Sequence, residues 1–426
     1  MEQQEMTGAH ADDGTTVTGA ATEFEPDVMD LLVETLRRAA RGELPVVGTD
    51  TLLGELVSGG TDAGEAIAPG MRKAGSLSGL IAGRAGLGWV SDDEAHGVPI
   101  TAGAGEEAHR GADEREIDAA WREARWRYGL GARGSAPENG RVLPGMTGAL
   151  HACLLLALRS ARAEGVISVR SRHVARALLE LPGSRAREAM VLEKLELSAA
   201  ARALDAVDAS ASARIAGPES RGVTLLRRAG TLGRSGNPLT RALTSWTAGS
   251  SVNGSPVLFA VSVEAMRQAV RNGRASVEPL DLLLGTLALD RALSVAGRSL
   301  PAGLAKANSA PAVMRRHGVR QSSLVSLAWT NDPAPVGTSA PEVPAAGVPE
   351  SGRVRPSAAA DRVMAVARLS AAEHGSPTVG TVHLLAALLD APASEADADG
   401  TVVRLLTADQ VDVAALRREL SLGLGA

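Results

Sequence analysis

Aromatic residues make up only 2% of this 426-residue chain, five Trp, two Phe and one Tyr. A core with so few rings must be assembled from Leu, Val and Ala, residues that suit close-packed helices. Cysteine is rarer still. Cys153 stands alone, which excludes an intramolecular disulfide and a cysteine-based zinc site and is compatible with a reducing compartment. Lysine is confined to Lys73, Lys194 and Lys306, and none of them follows the glycine loop of a G-x-x-x-x-G-K-S/T nucleotide site. The G-x-S-x-G nucleophile elbow and the H-E-x-x-H metal pair are missing as well. No run of about eighteen apolar residues occurs that could span a membrane. The formal charge is −5 without a long basic run, which argues against nucleic acid as the main ligand. The start of the chain is acidic, with Glu2, Glu5, Asp12 and Asp13, and lacks the basic and apolar regions of a signal peptide. These absences lead to the expectation of a cytoplasmic protein that is not an enzyme, with no cofactor, no metal, no nucleic acid and no membrane contact.

What is present is a fourfold repeat. Anchored on Val47, Val169, Val277 and Val379, four stretches fall into register, and two residues later Thr49, Ser171, Pro279 and Thr381 each suit a helix start. Leu52, Val174, Leu282 and Leu384 then share one apolar position, and Val57, Leu179, Leu287 and Leu389 another. Upstream, Leu31/Thr35/Ala39, Cys153/Ala157/Ala161, Val261/Ala265/Ala269 and Val363/Ala367/Ala371 recur at four-residue spacing, which puts each set on one side of a helix. The small residues let a second helix approach closely. Gly42, Gly165, Gly273 and Gly375 are expected to end that first helix in a left-handed cap. Each unit therefore reads as helix, glycine stop, short turn, helix. A further short helix and a final polar helix follow in unit two (Met190–Leu195, then Ala201–Leu204), unit three (Val313–Val319, then Leu324–Val325) and unit four (Val402–Leu406, then Val413–Leu420). Unit one has a loose counterpart around Met71.

This arrangement resembles the Clp repeat, which occurs twice in the N-terminal domain of Clp-type AAA+ unfoldases. Unit four carries the resemblance furthest, through Arg362-Val363-Met364, Ala367, Gly375 and Val379-Gly380-Thr381-Val382-His383-Leu384-Leu385, similar to the family's Val/Ile-Gly-Thr-Glu-His-Leu-Leu motif. Val47-Gly48-Thr49-Asp50-Thr51-Leu52-Leu53 is a second match. Units two and three keep the apolar positions but read Arg170-Ser171 and Glu278-Pro279 in place of Gly-Thr. Two repeats make one pseudo-symmetric domain in the family, so the resemblance implies an all-α fold with two Clp N-terminal-like domains. The expected layout is a disordered tail (1–24), a first domain (25–209; repeats 25–82 and 148–209, insertion 83–147), a linker (210–255) and a second domain (256–426). In the second domain, repeats 256–329 and 357–426 flank a proline-rich linker at 330–356, whose prolines forbid a continuous helix. That spacer leaves open whether units three and four fold together.

The insertion contains one amphipathic stretch, Asp113 to Tyr128, with Ile117, Trp121, Ala124 and Tyr128 on one face. Trp121 and Trp126, set among Arg122, Arg125 and Arg127, suit a partner-anchoring surface, while Trp121 equally suits packing of its helix at home. His173 and His383 share a repeat position at which the resemblance implies a hydrogen bond to the turn. Asp397-Ala398-Asp399-Gly400 looks like the front of a calcium loop, but Ala408 stands where its closing glutamate belongs. Gly230 to Gly236 reads as linker, Gly217-Pro218 and Asn237-Pro238 as turns, and Cys153 as an inert core thiol.

In the Clp family the N-terminal domain receives adaptors and substrates, in some members through phosphorylated arginine held partly by the motif's acidic residue. Here that position holds Asp50, Arg172, Leu280 and Val382, so a phosphoarginine pocket of the family's type is not expected. The resemblance implies a noncatalytic adaptor or substrate-recognition protein of a Clp protease or chaperone pathway. Its partners would be unfoldase components, adaptors or substrates, bound in helix grooves around Thr49, Asp50, Thr381 and His383. The alternatives are a stand-alone domain protein that sequesters small molecules or adaptors, and a diverged helical regulatory scaffold.

Overall fold

A computed structural model describes residues 19–94, 106–131, 143–212, 217–232, 255–331, 354–390 and 401–424. Most of the expected tail and of the proline-rich linker, Asn237-Pro238, the end of the Gly230–Gly236 stretch and the Asp397–Gly400 segment lie outside these residues. The chain is mostly helical. Unit one folds as α1 (Pro26–Arg41), α2 (Thr49–Ser58), α3 (Asp62–Ile67) and α4 (Gly70–Leu87), and α5 (Glu106–Gly131) follows in the insertion. Unit two comprises α6 (Gly148–Ala163), α7 (Ser171–Glu180), α8 (Arg185–Leu192) and α9 (Leu197–Ser212), after which comes α10 (Arg221–Arg228). Unit three comprises α11 (Pro256–Arg271), α12 (Pro279–Val295), the single turn α13 (Ala302–Ala305), α14 (Ala310–Arg316) and α15 (Gln321–Asn331). Unit four comprises α16 (Ala358–Glu373), α17 (Thr381–Asp390), α18 (Thr401–Ala408) and α19 (Val413–Leu424).

Local chemistry starts and stops these helices. Hydroxyls of Thr147, Ser255 and Ser357 accept the amides of Leu150, Leu258 and Ala360 at 3.2, 3.3 and 3.2 Å, which caps three of the four first helices. The stripe of small and apolar residues on each first helix is buried throughout, from Leu31, Thr35 and Ala39 to Val363, Ala367 and Ala371. The last residue of each stripe also closes its helix: the carbonyls of Ala39, Ala161, Ala269 and Ala371 accept the amides of Leu44, Val166, Arg274 and Ser376 at 2.8–3.0 Å. This is the six-to-one bond of a Schellman stop, and it needs a left-handed residue just before the donor. Gly165, Gly273 and Gly375 supply it with φ of 72°, 73° and 59°. In unit one the expected Gly42 does not. Its φ is −80°, and Glu43 takes the left-handed turn at 54°, because the helix and its closing bond keep the common register and Gly42 stands five residues before its valine where the other glycines stand four.

The valine turns carry more than a turn. Three of them form two-residue parallel strands: β1 (Glu23–Phe24) pairs with β4 (Ser168–Val169), β2 (Val46–Val47) with β3 (Gly145–Met146), and β5 (Ser276–Val277) with β6 (Arg355–Pro356). In each case the valine turn of one unit bonds the residues leading into the first helix of its neighbour. Val47, Val169 and Val277 carbonyls accept from Thr147, Glu25 and Ser357 amides at 2.9–3.0 Å. Between units one and two the exchange is reciprocal. A β-branched residue leaves the helix stop extended, and its exposed carbonyl then needs a backbone partner. The turn before α17 finds another solution, in which the Val382 amide donates to the Ala307 carbonyl at 3.1 Å and the Thr381 amide to Asn308 Oδ1 at 3.1 Å.

Buried apolar side chains gather in two clusters, one running from Phe24 to Leu204 and one from Val223 to Leu420. Units three and four share the second cluster, so the proline-rich spacer does not divide their core. Two expected boundaries shift. Glu23 and Phe24, assigned to the tail, form β1, and α10, inside the expected linker, buries Val223 and Leu226 in the second cluster. No helix among the described residues is long and apolar enough to cross a membrane.

Candidate interaction site

The residues singled out at the valine turns lie inside the protein. Thr49, Asp50, Thr381 and His383 are 0–4% exposed. Asp93, itself fully buried, explains the first. Its carboxylate accepts the Thr49 amide at 2.9 Å and the Arg185 amide at 2.8 Å, capping the starts of α2 and α8 together, and Thr49 Oγ1 in turn accepts the Ala186 amide at 3.0 Å. Asp50 sits 4.0 Å from Arg185 Nη1, and its Oδ1 has no hydrogen-bond partner. Burial first, then the nearby Asp93 carboxylate, raises its pKa against the pull of Arg185.

The histidines behave as their place at the helix start implies. His173 Nδ1 accepts the Arg170 amide at 2.8 Å and His383 Nδ1 the Gly380 amide at 3.0 Å. Unit three uses Asp281 at the same position, where Oδ2 accepts the Glu278 amide at 2.9 Å. A ring nitrogen that accepts an amide must stay unprotonated, and burial of His383 lowers its pKa accordingly. Cys153 is buried, and burial pushes its thiol well above the ordinary range, as an inert core thiol requires. Among the described residues no group of three or more His, Cys, Asp or Glu is arranged to hold a metal.

The two tryptophans of α5 part company. Trp121 is 8% exposed and packs into the first cluster with Ile117 and Ala124, whereas Trp126 packs against the second. The helix is thus buried between both halves. Its polar face meets α11 through charges of which the sequence pattern singled out only Arg122. Arg271 Nη2 bonds both oxygens of Glu116 at 2.6 Å and its Nη1 bonds Glu123 Oε2 at 3.0 Å; Arg122 donates to the Arg271 carbonyl at 2.6 and 3.0 Å. One turn earlier on α11, Arg267 pairs with Glu23 of β1 at 2.8 Å, with Glu264 at 2.8 Å and with Glu123 at 3.4 Å. Arg291 of α12 pairs with Glu25 at 2.6 Å and donates to the carbonyls of Ala21 and Ile167.

Burial opposes ionisation throughout this network, and the outcome differs from group to group. Glu123 is nonetheless pulled down to about 2 by Arg127, Arg267 and Arg271, and Glu23 falls well below its usual range beside Arg267, Arg271 and Arg291. Glu116 is pushed up to about 7, because burial and the charge of Glu23 outweigh Arg271 and Arg267. A cavity of about 30 Å³ at the junction is lined by Glu25, Trp126, Glu264 and Arg291 among others. It has room for a water or two and not for a drug-sized ligand.

A sequence signal for this junction existed in hindsight. Glu116 and Glu123 lie seven residues apart on one face of α5, and Arg267 and Arg271 four apart on α11, but nothing in either spacing says that the two faces meet. Asp93 had no signal at all, since it lies outside any periodic stretch. Exposed apolar side chains occur elsewhere, at Met71 and Leu87 of α4, Val90 just after it, and Val191 and Leu192 of α8. These helices are tied along one edge by Ser76 to Glu193 at 2.6 Å and by the Val90 amide to Glu188 at 3.1 Å. No protein-family model matches the chain, and neither does any curated protein or solved structure.

Proposed function

We propose that this chain is a noncatalytic recognition protein of a Clp-type protease or chaperone pathway, built from two paired-repeat lobes held at a fixed angle. The observation that supports the reading most is the cross-bridging of the repeats. The valine turn of one unit bonds the residues before its neighbour's first helix, so the helical repeat is completed by a second copy of itself. Such pairing accords with the two-repeat domain that the Clp resemblance implies. Together with Val379-Gly380-Thr381 and Val47-Gly48-Thr49 it favours an adaptor-facing module over an unrelated helical scaffold.

With Thr49, Asp50, Thr381 and His383 serving the interior, a partner would be met on outer surfaces. The α4–α8 edge suits an apolar peptide segment of a substrate or adaptor, through Met71, Leu87, Val90, Val191 and Leu192. Crosslinking in cells followed by identification of the bound chains tests this. Recovery of a Clp unfoldase, its adaptor or a proteolysis substrate, reduced by Val191→Glu with Leu192→Glu, is the expected result. Recovery of none of them, or recovery that ignores the double variant, removes the support for this reading.

A further inference from the structure

Among the described residues, the outer face of α16 presents apolar side chains at positions that are covered or charged on the other first helices. In repeat register, Val366 and Leu369 correspond to Leu156 and Arg159 on α6, and to Glu264 and Arg267 on α11. Leu156 packs on the first cluster, and Arg159 reaches Asp113 of α5 at 3.3 Å. Glu264 and Arg267 are sealed into the charged junction, and on α1 the equivalent Glu34 and Arg37 are partly exposed but charged, and pair with each other. On α16, Val366 is 41% and Leu369 63% exposed.

The exposed stripe has an internal symmetry. Ala359, Arg362, Val366, Leu369 and Glu373 are all exposed and follow one another at intervals of three and four residues, the seam spacing of helices that pair along their length. Arg362 to Glu373 spans three turns, so the stripe occupies one narrow face. A single midpoint, between Ala367 and Arg368, relates Val366 to Leu369 and Arg362 to Glu373. When the same helix from a second chain is laid antiparallel on this face about a two-fold axis at that midpoint, each Val366 meets a Leu369 and each Arg362 meets a Glu373. Neither Arg362 nor Glu373 makes an ion pair among the described residues, so both charges remain available.

We propose that the α16 face is an isologous contact through which two copies of this chain associate as an antiparallel helix pair. The apolar pair supplies the centre, and the charges at either end select the antiparallel register and disfavour the parallel one, in which like charges would stack. A helix of 16 residues is about 24 Å long and offers less than a standard protein interface, so the association belongs to the weak, reversible class. The proposal does not depend on which partners the chain serves.

Sedimentation equilibrium of the full chain from the low micromolar range to about 1 mM is the test. A concentration-dependent dimer is expected, weakened at least tenfold by Leu369→Glu. Arg362→Glu and Glu373→Arg should each weaken it several-fold through like-charge contact, and the two together should restore it to within a few-fold of native. Because these positions are exposed, helix content by circular dichroism should stay unchanged, and should Leu369→Glu disturb folding the charge variants carry the test alone. A chain that stays monomeric throughout, a dimer indifferent to Leu369→Glu, or a double exchange no better than either single one would overturn the proposal.

Discussion

Arg271 and Glu116 lie 2.6 Å apart, each less than 5% exposed, although Arg271 belongs to the first helix of unit three and Glu116 to the insertion between units one and two. An ion pair this dry is an unforgiving joint. With Nη2 on both oxygens of Glu116 and Nη1 on Glu123, one guanidinium ties two points of α5 to α11, where an apolar contact could slide. Removing Arg271 leaves Glu116 and Glu123 buried without that cation, and removing Glu116 leaves Arg271 desolvated with one counter-charge fewer. Arg271→Met should therefore destabilise the chain by about 3–5 kcal/mol, while adding Glu116→Met should recover only the part due to Glu116, since Glu123 still lacks its Arg271 bond. Urea unfolding of the two single variants and the double one measures the coupling directly.

The same joint gives stability a pH dependence of unusual sign for a carboxylate. Glu116 titrates at about 7 in the folded chain against an ordinary 4.5, so the folded state holds this proton more tightly than the unfolded state does. Between those values stability falls as pH rises, and above about 7 the loss is complete. Glu123 runs the other way, its folded pKa of about 2 giving stability that is lost only as pH drops below 4.5. Thermal melts at pH 5 and pH 8 should show a narrower gap for Glu116→Gln than for the native chain. An equal gap in the two proteins would mean that Glu116 is ionised across the whole range.

The recurring shape of the repeat does not impose one reason for its glycines. A Cβ on Gly380 would lie 1.9 Å from the Ala307 carbonyl oxygen, a backbone atom held by its bond from Val382, whereas a Cβ on Gly48 would meet the carboxylates of Asp50 and Asp93 at 2.3 and 2.9 Å. Side chains can rotate away and a bonded backbone cannot. Gly380→Ala should cost about 1–3 kcal/mol by overpacking. Gly48→Ala should cost less at the backbone but disturb the Asp93 cap, visible as faster hydrogen exchange at the amides of Thr49 and Arg185.

Much of the helical scaffold was legible because its cause is local. Ala39, Ala161, Ala269 and Ala371 sit where four-residue spacing puts them, and each also takes the closing hydrogen bond of its helix, so one residue records both burial and helix end. The candidate contact residues misled for a related reason. Thr49 and His383 stand out in the motif because the turn needs them, and a residue that serves a buried helix start is not one a partner can touch. What stayed hidden depends on elements far apart in the chain. Asp93 caps two helices from outside both repeats, and Glu25 reaches Arg291 across most of the sequence. Short strands were missed too, since two residues are too few for alternation to register, and Trp126 faces the second cluster because α5 is buried on two sides.

Unit one offers a test of the helix stop itself. Glu43 holds a left-handed φ of 54° that Gly165, Gly273 and Gly375 adopt in the other three units, so it alone bears the clash of a side chain with its own backbone. The bond it permits, from the Leu44 amide to the Ala39 carbonyl at 3.0 Å, is the same as in its counterparts. Glu43 is exposed, so a substitution there removes little buried surface. Glu43→Gly should raise stability by about 1 kcal/mol, the relief of the left-handed penalty exceeding the added freedom of the unfolded chain. Gly165→Ala, which imposes on unit two the strain that unit one now carries, should lower it by a similar amount. Denaturation midpoints of the two variants moving in opposite directions would establish that the stop sits at the fourth residue before each valine, and a destabilising Glu43→Gly would show that the Glu43 side chain contributes more than its backbone strain costs.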